Sequence, residues 1–136
     1  EKAVFFKGDG KFRSKIGLSA QRALPVAGAW DAQAGVLTLV QYSQNPRQTD
    51  YVNSLWEQQQ APFAGDVVNA YNDGPLQGGG QLGPFYELES SSPAADLIPG
   101  QTMIHMHTTF HLVGDKAALD RVAQAVLGVS LAEAEK

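Results

Sequence analysis

Apolar and polar positions alternate with a period of two through much of the chain. Phe12, Ser14, Ile16 and Leu18 interleave with Lys11, Arg13 and Lys15, which predicts a strand with one buried face. Ala3–Phe6 is a short apolar run stopped by Gly8-Asp9-Gly10 and predicts another. Val26–Trp30 and Val36–Tyr42 flank Asp31-Ala32-Gln33-Ala34-Gly35. A short loop with Gly where positive φ is needed predicts a hairpin. Tyr51–Trp56, Val67–Tyr71, Pro84–Ser90 and Thr102–Val113 read as further strands. Asn45-Pro46, Asn72-Asp73-Gly74-Pro75, Gly78-Gly79-Gly80 and Pro99-Gly100 punctuate them. Near the end the period changes to that of a helix. Leu119, Val122, Ala123 and Val126 share a stripe, Asp115 suits an N-cap and Gly128 a C′ position. Ser130 and Glu133 have capping-box spacing, so a helical tail is expected over about residues 115–135. This order predicts an all-β fold, an antiparallel β-sandwich in one domain over residues 1–136 with a short C-terminal helix.

Composition narrows the chemistry. At 136 residues the chain is long enough for one core, and without cysteine it cannot be a disulfide scaffold or thiolate zinc module. Its longest apolar runs are only a few residues, so no membrane span is expected. The net charge of −4 is unevenly spread. Residues 1–47 hold seven basic and three acidic side chains; the remainder holds three basic and eleven acidic. Lys11, Arg13 and Lys15 could line one strand face, either as a cationic ligand surface or as a solvated edge that deters aggregation. No phosphate loop, dinucleotide fingerprint, serine-hydrolase elbow or calcium loop is present, and no nucleic-acid partner or cofactor is expected.

Three clusters could carry chemistry. In Ile104–Leu112, strand alternation puts His105, His107, Thr109 and His111 on one face. Ile104, Met106, Thr108, Phe110 and Leu112 take the other, which reads as the core face. The His-x-His pair could bind a metal, but His111 lies roughly 13 Å from His107 at ~3.3 Å per residue, too far to join as a ligand. The bland alternative is a solvated or groove-lining polar face. Glu87 and Glu89 share a face of their own strand; enclosure would raise at least one pKa and suit proton transfer, whereas solvation would leave surface acids. Asn69 sits mid-strand beside Tyr71. An amide next to an aromatic ring is a common pairing for sugars, with Trp30, Trp56 and Tyr71 as candidate rings and core packing as the competing role for each.

The order of these motifs resembles a known superfamily. Leu88-Glu89-Ser90, a loop, Leu97-Ile98-Pro99-Gly100-Gln101 and a strand with His105 five residues after Gly100 resemble the C-terminal end of galactose mutarotase-like domains. Phe6-Lys7-Gly8-Asp9-Gly10, Lys15-Ile16-Gly17-Leu18, Gly65–Asn69 and Tyr71–Pro75 are similar to an uncharacterised bacterial family placed in that superfamily. The resemblance implies a supersandwich with a carbohydrate site and an aldose 1-epimerase-like activity. It implies Glu89 as general base, with His105 or His107 as the acid, since the family's earlier His has no counterpart here. Substrate contacts would come from Glu87, Asn69, Tyr71, Arg13 and Lys15. The family domain is longer, so this chain is expected to correspond to its C-terminal portion, completed by a partner segment or a second copy. The alternative is a non-catalytic sugar-binding or assembly module. The resemblance also favours a periplasmic or extracellular setting.

Overall fold

A computed structural model describes residues 3–55 and 57–136. Among the described residues, six strands form two antiparallel three-stranded sheets, followed by two helices. The strands are β1 (Ser14–Leu18), β2 (Val26–Asp31), β3 (Val36–Tyr42), β4 (Val68–Asn72), β5 (Tyr86–Ser90) and β6 (His107–Val113). The helices are α1 (Lys116–Leu127) and α2 (Leu131–Ala134). One sheet has the order β1-β4-β5 and is called the outer sheet; the other, β2-β3-β6, is the central sheet.

The central sheet is covered on both sides, and β3 shows why. Leu37 and Leu39 point to one face and pack with Leu119, Ala123 and Leu131 of the helices. Val40 and Tyr42 belong to a second cluster with Val67, Val68, Leu18 and Leu88 of the outer-sheet region. A strand buried on both faces loses its polar alternation, which accounts for the nearly unbroken apolar run from Val36 to Val40. The layers are therefore outer sheet, central sheet and helices. Gly28 permits the close approach of α1, because a Cβ there would meet Leu127 Cδ1 at 2.6 Å.

The expected sandwich and helical tail are both present. The β2–β3 hairpin turns through Gly35 at φ +66°. Asp115 caps α1 by accepting from the Ala118 N–H at 3.1 Å, and Gly128 ends it at φ +72°. Ser130 and Glu133 form the capping box of α2. Glu135 then accepts from the Trp30 indole at 2.8 Å and pairs with Lys116, fixing the tail against β2.

Several expected strands change. Ala3–Phe6 forms no strand. Asn72 holds the neighbouring loop instead, accepting from the Gly10 N–H at 2.8 Å and donating to the Phe12 carbonyl at 2.7 Å. Tyr51 makes only an isolated parallel bridge to Ala64, and Trp56 lies outside the described residues. The segment expected to pair from Thr102 pairs only from His107. Its expected core face is also corrected. Leu112 packs beneath the helices, but Ile104, Met106, Thr108 and Phe110 are exposed, because β6 is an edge strand and the helices reach only one end of it.

Candidate functional site

The outer sheet turns one face to the core; on the opposite face Lys15 and Glu87 are exposed, Tyr71 and Glu89 are half-buried, and Asn69 and Asp73 are buried at 6% and 1% exposure. Ile16, Leu18, Val68, Ala70 and Leu88 share the inner face by alternation. The other face is polar in every strand. Lys15 opposes Tyr71, which opposes Glu87; Gly17 opposes Asn69, which opposes Glu89. One alternation step further, Arg13, Asp73 and Phe85 extend the same rows. Six residues expected at the site, Arg13, Lys15, Asn69, Tyr71, Glu87 and Glu89, are thus brought to one surface.

These side chains hold one another in place. Lys15 Nζ reaches across β4 to Glu89 Oε2 at 3.0 Å. Tyr71 donates its hydroxyl to Asp73 Oδ1 at 2.7 Å, and the Gly83 N–H donates to the other carboxylate oxygen at 3.0 Å. The Tyr71 ring lies against Phe85, with centroids 6.1 Å apart and planes tilted by 49°. Gly17 leaves a gap that Asp66 and Asn69 fill. A Cβ at Gly17 would sit 2.0 Å from Asp66 Oδ2 and 2.7 Å from Asn69 Oδ1.

The two glutamates titrate as a pair. The hydrogen bond to Glu89 is the main reason that the Glu87 pKa rises, and burial and the neighbouring negative charge add to it. Burial works to raise Glu89 as well. The hydrogen bond from Glu87 and the Lys15 ammonium outweigh burial and hold Glu89 below the ordinary glutamate value. Burial raises Asp66 against the opposing charge of Lys15. The Tyr71 hydroxyl and backbone N–H groups lower Asp73, and the same bond raises Tyr71.

A carbon-13 NMR titration of the carboxyls should therefore show one step below and one above the ordinary value of 4.5. The signs follow from linkage. Glu89's contribution to stability is present above the unfolded glutamate pKa and is lost as pH falls through its depressed folded value. Glu87's contribution is present below the unfolded pKa and is lost as pH rises through its raised one. Lys15→Ala should move the Glu89 step upward; an unmoved step would mean that the ion pair does not form in solution.

The histidines lie elsewhere, which corrects the expected pairing of Glu89 with His105 or His107. Ser90 follows Glu89 in β5 and points to the opposite face. It is Ser90 that the imidazoles meet, with Oγ 2.9 Å from His105 Nε2 and 2.8 Å from His107 Nδ1. Ser43 Oγ lies 3.2 Å from His105 Nδ1 and accepts the Met106 N–H at 3.0 Å. This cluster clasps β5 to the end of the central sheet. One step along a strand thus separates the carboxylates from the imidazoles. His111 instead contacts Thr38, with Nδ1 3.1 Å from Oγ1. Among the described residues, no group of three His, Asp or Glu side chains could hold a metal ion.

Trp30 belongs to the helix side of the central sheet, so Tyr71 is the ring that accompanies Asn69. Asp66 and Asp73 were not expected at the site. Asp73 reads as a turn residue beside Gly74, although its spacing from Tyr71 and Asn69 continues the alternation. A cleft of about 220 Å³ adjoins the face and is lined by Arg13, Asp73, Leu76, Gln81 and Leu82. A larger hollow of about 390 Å³, bordered by Ser19, Asp50, Phe63 and Gly65, lies apart from these rows.

Fold and site together define a β-sandwich protein with one polar sheet surface. The chain matches DUF6786, a family of unknown function, over residues 1–136 and belongs to it. No curated protein and no solved structure matches the chain.

Proposed function

We propose that the polar face of the outer sheet binds a carbohydrate and that the protein is a galactose mutarotase-like sugar-binding module. The observation that carries this reading is the placement of Tyr71, Lys15, Glu87 and Glu89 on one face, in register across three strands, with Asn69 buried beside them at 6% exposure. An aromatic ring covers the C–H face of a sugar, while carboxyl and ammonium groups bond its hydroxyls. Lys15 is already engaged by Glu89. Asp66 and Asp73 add acidic groups nearby, so a neutral hexose fits better than an acidic sugar.

Binding is favoured over catalysis on physical grounds. A general base works best with a pKa near the operating pH. Glu89 is held below the ordinary glutamate value, and its Oε2 is engaged by Lys15 Nζ at 3.0 Å. The imidazoles that would supply the acid lie on the opposite face.

Polarimetry and calorimetry with glucose and galactose test both parts. The expected result is measurable heat of binding with mutarotation at the rate of buffer alone. Acceleration that disappears in Glu89→Gln would establish the catalytic reading instead. Absence of both heat and acceleration with either sugar would count against the carbohydrate site.

A further inference from the structure

We infer that the sugar held on the polar face of the outer sheet carries an amino group, and that Asp66 and Asn69 receive its ammonium beside Gly17. The inference rests on the carbohydrate reading above and names the class of sugar. Gly17, Asn69 and Glu89 form one row across the sheet. Because Gly17 has no side chain, two acceptor oxygens crowd one spot over β1. Asn69 Oδ1 lies 2.7 Å from the point where a Cβ would stand on Gly17, and Asp66 Oδ2 lies nearer still. The two are close enough for one nitrogen to reach both. Asn69 is 6% exposed and Asp66 is half-buried. No hydrogen-bond donor among the described residues reaches either oxygen.

The other charged groups of this face already have partners. Lys15 Nζ is engaged by Glu89 Oε2 at 3.0 Å and acts on Asp66 through its charge alone. Glu87 shares a hydrogen bond with Glu89. Asp73 accepts from the Tyr71 hydroxyl and the Gly83 N–H. Asp66 is left as a carboxyl that burial disfavours in its charged form and that no donor compensates. A sugar hydroxyl has one proton and would satisfy only one of the two converging oxygens. A metal ion needs a larger ligand set, and among the described residues no group of three His, Asp or Glu side chains supplies it. An ammonium carries three donors and a positive charge, so it can reach both oxygens, and its bond to Asp66 is charge-assisted. The face has the matching sign, with Arg13 and Lys15 set against Asp66, Asp73, Glu87 and Glu89.

Calorimetry on the wild-type chain with glucosamine, glucose and N-acetylglucosamine tests the inference. Glucosamine should bind at least about tenfold more tightly than glucose. N-acetylglucosamine has its nitrogen on the same carbon but no charge, and should gain nothing over glucose. In Asp66→Asn, with an unchanged circular dichroism spectrum, glucosamine and glucose should bind alike. The wild-type comparison decides the matter even if that variant does not fold. Glucose binding with no preference for glucosamine would overturn the inference and leave the carbohydrate reading standing. A preference that survives in the folded variant would overturn it too. Failure of all three sugars to bind would remove both.

Discussion

Leu37→Ala is expected to lower the unfolding free energy by about 2–5 kcal/mol, the range for truncating a buried leucine. Leu37 is 1% exposed and sits on the middle strand of the central sheet, under Leu119, Ala123 and Leu131. Alanine there removes contacts that both helices share and leaves a cavity that three secondary elements would have to move to close. Val126 gives the control. It lies on α1 but is 44% exposed, so Val126→Ala should cost at most about 1 kcal/mol. Urea denaturation of the two variants measures the contrast. Equal, small losses would mean that the helices are not docked on β3.

Tyr71→Ala is expected to weaken sugar binding at least tenfold, equivalent to about 1.4 kcal/mol. Tyr71 lies on the middle strand of the outer sheet, between Lys15 and Glu87, with Asn69 two residues away on the same face. In the proposed site its ring would supply the apolar platform, whereas its hydroxyl donates to Asp73. Tyr71→Phe should therefore keep affinity within a few-fold of wild type. Calorimetry on both variants separates ring from hydroxyl. Equal losses in the two would show that the hydroxyl, or the position of Asp73, governs binding.

The elements most legible in the sequence are those whose local signals agree. The β2–β3 hairpin had two apolar runs and Gly35 between them, and the helical tail had caps at both ends. Alternation also placed Lys15, Asn69, Tyr71, Glu87 and Glu89 correctly within their own strands. Their convergence depended on register between strands distant in sequence, which no local pattern encodes. The histidines show the same limit. Their shared spacing was readable, but the partner they meet, Ser90 rather than Glu89, is decided by how β5 packs against the end of the central sheet. Ala3–Phe6 failed for a related reason. Val4 and Phe5 remain more than half exposed, without the buried face that would hold them in a sheet, while Asn72 secures the following loop.

The most direct test of the account is to map a bound sugar on the wild-type chain by amide and side-chain NMR shifts. Titration with galactose or glucose should perturb Lys15, Asn69, Tyr71, Glu87 and Glu89 together, leaving His105 and His107 unmoved. Perturbations centred on the histidines and Ser90, with the outer sheet unchanged, would contradict it.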